Sequence, residues 1–276
     1  MIKVKKRRSS GMIVESFEDR KSIFSGRPKK SLVKKLKKTA GRDCRGRISV
    51  RHKGGGEKRL YRVISELGTL NQSIKVINIE YDPYRSARIA LVELENGQHR
   101  YIIAGDNLKP GDEILMGSKQ NVKQHERTEL GNIQIGSSIY DIQIRPDSKS
   151  YMVRSAGTSA ALMAIEGQYA MVKLPSGEQR KVNVKCLATV GQVSNKDHSN
   201  IVIGKAGRKR RMGIRPSVRG KAMYPAAHPH GGGEGVNPIG LKYPKTPWGK
   251  IAMGKKTRRN VKSSAFIIKR RQSKKR

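Results

Sequence analysis

The chain has 276 residues, 60 Lys+Arg against 21 Asp+Glu, and a formal net charge of +39. Only 35% of it is hydrophobic, below the usual ~45–50%, so a core cannot involve the whole length. A free globule with this charge would repel itself, and a polyanion is the expected neutralising partner.

Two distant cysteines, Cys44 and Cys186, form no CxxC pair. That excludes a zinc ribbon and a disulfide framework and suits a reducing compartment. The basic N-terminus is not followed by the apolar run of a secretory signal. No stretch approaches the ~18 apolar residues of a membrane span.

Charge is segregated along the chain. Residues 1–60 hold 21 Lys+Arg and 5 Asp+Glu, residues 61–200 hold 17 and 15, and residues 201–276 hold 22 and 1. The expected organisation is a basic extension over 1–60, two small β units over 61–125 and 126–200, and a basic glycine-rich extension over 201–276. The neutral centre can pack a core and is expected to fold alone. The ends are expected to lie in grooves of nucleic acid.

In chain order, Lys3 to Arg8 reads as a solvated tail. Ser31 to Lys38, SLVKKLKK, predicts about two helical turns with Leu32, Val33 and Leu36 on one side. From Ala40 the texture changes to AGRDCRGRISVRHKGGGEKRLYR, where glycines alternate with cations. Glycine lets the backbone approach phosphate closely, and successive amides form anion-binding nests. The expected RNA-binding residues here are Arg47, Arg51, His52, Lys53, Lys58, Arg59 and Arg62.

The centre reads as all-β. Ser73–Tyr81 and Ala87–Leu94 are strand runs, and Asn96-Gly97 is a strong hairpin signal leading into Gln98–Ile103. Pro110-Gly111-Asp112 makes the next turn. Closely spaced strands and tight turns predict a small closed barrel rather than a βαβ sheet. The break falls in the polar stretch between Gly117 and Glu129. A second β unit follows, with a strand at Ser137–Ile144 and strands Tyr169–Leu174 and Gln179–Val184 around the Pro175-Ser176-Gly177 turn. Ala160 to Ile165 reads equally as a short helix or a strand.

Periodicity stops at Ile201. The arm beyond is rich in glycine, proline and cations, with Glu234 its one acid and Trp248 its one tryptophan. Its core-forming content is too low to fold alone, so its shape is expected to come from RNA. Lys205, Arg208, Lys209, Arg210, Arg211, Arg215, Arg219, Lys221, Lys250, Lys255, Lys256, Arg258 and Arg259 are expected to neutralise phosphate. His228, His230 and Trp248 are expected to stack on bases or donate to phosphates, and Gly231, Gly232 and Gly233 to allow close backbone approach. Trp248 reads about equally as a small core residue.

These residues carry a resemblance. RSAGTSA at 154–160, GKAGRKRRMGIRPSVRGKAM at 204–223, HPHGGGEG at 228–235 and TPWGK at 246–250 resemble the universal large-subunit ribosomal protein L-two family. HKGGGEKRLYR at 52–62 and IEYDPYRSARIALVEL at 79–94 do so as well. The resemblance runs from about Ala40 to Lys256 with motif order and spacing kept.

It implies a mostly β fold, an oligonucleotide-binding (OB) barrel followed by an SH3-like barrel with long irregular basic extensions. It implies binding to large-subunit rRNA near the peptidyl-transferase centre, with support for assembly, subunit association and tRNA/peptidyl-transfer function. It adds Arg85, Arg88 and Arg154 to the expected RNA-binding residues. Implied partners are rRNA, neighbouring ribosomal proteins and the small subunit across the interface, with no membrane. The implied location is a cytoplasmic ribosome, with a plastid ribosome as the alternative. Tyr224, Ala227, Val236 and Glu57 depart from the family's usual asparagine, aspartate, arginine and histidine. The HPH loop therefore lacks its neighbouring carboxylate.

The alternatives are weaker. His228, His230 and Glu234 lack the further convergent ligands of a metal site, so no cofactor or metal is expected beyond magnesium associated with the rRNA. The triple glycines, Gly54 to Gly56 and Gly231 to Gly233, lack the spacing and strand–helix context of nucleotide-cofactor loops. A catalytic residue is not expected. A free OB-type RNA chaperone would show more stacking aromatics than the 5% present, and a metal-dependent RNA enzyme would show clustered carboxylates.

Overall fold

The computed structural model describes residues 2–6, 9–11, 14–21, 23–65, 72–117, 122–254, 256–258 and 261–271. The chain forms two compact units. Residues 1–37, 58–204 and 263–276 make the first, and residues 38–57 and 205–262 make the second.

The first unit opens with β1 (Ile2–Val4) and β2 (Ser16–Glu18), paired antiparallel, and with β3 (Val33–Lys35) paired to β4 (Leu60–Arg62). The two helical turns expected at Ser31–Lys38 are absent. One 3-10 turn, Lys30–Leu32, leads straight into β3. A helix here would stack lysines one turn apart, with like-charge repulsion. The strand instead lets Leu32 bury at 9% exposure beside Ile89, Leu91 and Tyr101.

β5 (Gln72–Glu80), β6 (Ile89–Leu94), β7 (His99–Ile103) and β8 (Glu113–Met116) form the first barrel around Ile74, Val76, Val92, Leu94, Ile114 and Met116. Gly97 closes the β6–β7 hairpin at φ +72°, as Asn-Gly turns require. β6 is buried on both faces: Ala90, Val92 and Leu94 face the first core, and Ile89 and Leu91 face Tyr101. The Tyr101 hydroxyl donates to Glu80 at 2.8 Å and accepts the Lys29 N–H at 3.2 Å. Burial raises the pKa of both groups.

The second barrel comprises β9 (Arg127–Glu129), β10 (Ser138–Tyr140), β11 (Ile142–Gln143), β12 (Ser150–Met152), β13 (Ala160–Glu166), β14 (Tyr169–Lys173), β15 (Gln179–Asn183) and β16 (Leu187–Val190). Its core holds Leu130, Ile139, Ile142, Leu162, Val172 and Val182. Ala160–Ile165 resolves to strand, because Ala160 and Leu162 are buried with period two. Cys186 lies in this core, where burial pushes its thiol up to about 11.

A short parallel link, Met116 opposite Arg127, joins the barrels into one 11-stranded sheet. β17 (Ile267–Lys269) adds itself to β15 at the sheet's edge. The fold is mostly β, an OB-type barrel followed by an SH3-like barrel.

A buried polar knot sits at β9. Arg127, 5% exposed, donates to Asp141 Oδ2 at 2.8 Å and to Ser150 Oγ at 2.6 Å. Arg154 reaches the same carboxylate at 3.0 Å. Removing one partner of a buried pair leaves the other charge uncompensated, typically a loss of ~3–5 kcal/mol. With Arg154 still in place, Arg127→Met is expected near the lower end, about 3 kcal/mol. It would appear as a lowered denaturant midpoint at unchanged slope. A loss under about 1 kcal/mol would mean that the knot contributes as little as a surface pair.

Candidate nucleic-acid interface

The second unit is built without an apolar core. Among its described residues no hydrophobic side chain is buried, and His228, 7% exposed, is the one buried side chain. Its two segments carry 22 Lys+Arg against 3 Asp+Glu.

Backbone hydrogen bonds hold it. The Gly54 N–H donates to Gly213 O at 2.8 Å, the Glu57 N–H to Arg211 O at 2.9 Å and the Arg215 N–H to His52 O at 3.1 Å. Glycine is required at this lock. A Cβ on Gly56, at φ +60°, would lie 2.6 Å from Arg211 O. The lock leads out of α1 (Ala206–Arg211), a short helix whose last turn carries Arg208, Lys209, Arg210 and Arg211. The exposed Arg211–Glu57 pair at 3.6 Å adds little.

The His228–Gly235 loop is folded onto the segment before it. The His228 ring occupies the space where a Cβ on Gly220 would stand, 2.5 Å away. Its Nδ1 accepts the His230 N–H at 3.0 Å, and His230 Nε2 accepts the Lys245 N–H at 2.9 Å. Each accepting nitrogen is therefore unprotonated, which fixes both rings in a neutral tautomer in this arrangement. Burial, then His230, then Arg51 lower the His228 pKa. The Gly232 N–H donates to Met223 O at 3.2 Å. Glu234 is exposed. Among the described residues no group of three or more His, Cys, Asp or Glu side chains could hold a metal ion.

Trp248 sits at the tip of a tight turn closed by the Thr246 N–H donating to Lys250 O at 2.7 Å. It is 75% exposed, so within this chain it is not a core residue.

Residues 29–116 match the family model described as Ribosomal Proteins L2, RNA binding N-terminal domain. Residues 123–249 match the one described as Ribosomal Proteins L2, C-terminal domain.

The chain belongs to the ribosomal protein L2 family.

Its role as a structural, RNA-binding ribosomal protein follows, with rRNA as partner and the ribosome as its place. In this L2-family chain the expected RNA-binding residues separate into two kinds of environment. Arg51, His52, Lys53, Arg210 and Arg215 converge on one cleft of the second unit. Arg47, Lys205, Arg208, Lys209, Arg211, Arg219, Lys221, His228, His230, Gly231, Gly232, Gly233, Trp248, Lys250, Lys256 and Arg258 lie in that same unit. Lys255 and Arg259 fall outside the described residues.

The remainder lie in the first unit, and several are engaged with carboxylates or carbonyls. Arg85 pairs with the buried Asp82 and donates to the Tyr61 hydroxyl at 3.0 Å. Arg88 pairs with Glu18 at 3.1 Å, and Arg154 with Asp141. Arg59 donates to Pro83 O at 3.0 Å and lies over the Tyr84 ring. The Arg62 guanidinium donates to Leu60 O at 2.9 Å, while Lys58 is exposed. Sequence reasoning did not single out Arg42, Ile48 and Val50, which line the same cleft as Arg51. The available signal was two β-branched residues set among arginines in RISVR.

No helix of the described residues is long and apolar enough to cross a membrane.

Without RNA, the second unit has little to resist a protease beyond its backbone lock. Limited proteolysis of the free protein is expected to cut first within 205–262 and to spare the β-rich first unit. Equal resistance of the two would show that the second unit is stable by itself.

Proposed function

We propose that this chain is a constituent of the large ribosomal subunit whose second unit is shaped by large-subunit rRNA close to the peptidyl-transferase centre. In this reading it supports assembly, subunit association and tRNA positioning, contacts neighbouring ribosomal proteins and the small subunit, and is not an enzyme. The supporting observation is a compact unit dense in cations with no buried apolar side chain among its described residues. Such a unit lacks the burial that normally offsets chain entropy, and RNA supplies the missing surface. The His228–Gly235 loop is a positioning element, because one nitrogen of each imidazole, His228 Nδ1 and His230 Nε2, accepts a backbone N–H that ties the loop down. Magnesium ions, where present, belong to the rRNA.

A cleavage reagent tethered to a cysteine replacing Glu234, in a Cys44→Ser background within assembled ribosomes, tests the placement. Strand scission is expected in the rRNA of the catalytic centre. Scission confined to RNA distant from that centre would overturn the placement and leave RNA binding intact.

A further inference from the structure

The lock between 52–57 and 211–215 borders a cleft of about 470 Å³ that the family assignment does not explain. Part of its lining is an aliphatic wall: Ile48 and Val50 are 63% and 51% exposed. Arg42, Arg51, Lys53, Arg210 and Arg215 line it as cations. A Cβ on Gly54 would lie 3.5 Å from Arg210 Nη1 and 3.4 Å from Arg215 Cγ. Among the described residues no acidic side chain lines the cleft. Gly55, also in the lining, faces open space, with nothing within 4 Å of a Cβ built there. The amides of Gly55 and Gly56 donate to no partner among the described residues.

We propose that this cleft takes one unstacked nucleotide of the bound RNA. Its base lies against Ile48 and Val50, and its phosphate lies between Arg210, Arg215 and the free glycine amides. The assignment rests on the RNA-binding reading above and deepens it. Three features select this ligand. The volume falls in the ~300–1,000 Å³ range of small-molecule sites, so a duplex does not fit. A lone phosphate would leave the aliphatic wall and most of the volume unused. Unpaired RNA bases stack on aromatic rings or guanidinium planes, with cations on the backbone, and His52, Arg42 and Arg51 line the cleft beside the aliphatic pair. The glycines keep the cleft open, and successive unpaired amides form an anion-binding concavity.

The test uses the full-length protein with large-subunit rRNA. After ultraviolet crosslinking and nuclease digestion, mass spectrometry is expected to find a mononucleotide adduct on the 42–56 stretch. Gly55→Phe fills the cleft without altering charge, and the open space around Gly55 accommodates it. Ile48→Gln removes the apolar wall at an exposed position. One variant fills the space the base needs and the other removes its apolar contact, so either is expected to lower the adduct yield about tenfold. Overall affinity should fall by no more than about tenfold, and its salt dependence should hold because neither variant alters charge. An undiminished adduct in both variants, or adducts elsewhere but never on this stretch, would overturn the proposal. So would displacement of the adduct by free AMP or UMP, which would assign the cleft to free nucleotides. Absence of every adduct, with no rRNA retained, would instead sink the RNA-binding reading itself.

Discussion

Replacing Arg208, Lys209, Arg210 and Arg211 together with glutamine is expected to weaken rRNA binding about a thousandfold near 0.1 M salt. Each neutralised phosphate contributes roughly 0.7–0.9 to the log–log salt slope, so losing four contacts lowers the slope by about 3. The geometry makes the number informative. The four residues are consecutive in α1, and consecutive helical positions point about 100° apart. They touch phosphate together only if RNA surrounds the helix. A fall of about 3 therefore reports a helix embedded in RNA, and a fall near 1.5 reports one face against it. An unchanged slope would place all four in solvent. Glutamine is a good helix former and puts no negative charge at the C-terminal end of the helix dipole. α1 buries no residue, so the substitutions disturb no core.

The barrels were legible because their signals are local. Alternating apolar residues at Ala87–Leu94, Asn96-Gly97 and the Pro175-Ser176-Gly177 turn each encode a strand or its reversal within about ten residues. The helix expected at Ser31–Lys38 failed for a non-local reason: Leu32 buries against β6 and β7, far along the chain. Tertiary burial overrides a weak local propensity. β17 was hidden in the same way. Its few residues gain order only by adding to β15, with the Lys181 N–H donating to Phe266 O at 2.8 Å.

The second unit was half legible. Glycine and charge density marked both of its segments as polyanion-binding. Their association was invisible, because the lock joins residues such as Lys53 and Ile214 across a long stretch of sequence. It is made of backbone hydrogen bonds between glycine-rich turns, which leave no apolar periodicity to read. The engagement of Arg85, Arg88 and Arg154 with carboxylates was equally unreadable. A cation in a basic protein reads as an RNA contact until a buried Asp82 or Asp141 is seen beside it.

Substitutions in the His228 loop are expected to separate shape from chemistry. Gly232→Val forces a β-branched residue to φ +96° and sets a Cβ 2.9 Å from the Pro225 ring. A β-branched residue is a true outlier at positive φ, so the loop refolds and subunit assembly is lost. His228→Ala removes the acceptor for the His230 N–H and vacates the space over Gly220. It is expected to impair assembly or subunit joining several-fold. His228→Asn is the decisive comparison, because the Asn Oδ1 stands where Nδ1 stands and accepts the same N–H. If the histidine positions the loop, the Asn variant restores assembly, and its ribosomes form peptide bonds at the normal single-turnover rate with an unchanged pH profile. If His228 is a general acid or base, both variants lose the ~100-fold or more that such catalysis is worth. The loss would appear in the chemical step of fully assembled particles, and the positioning account would then be wrong.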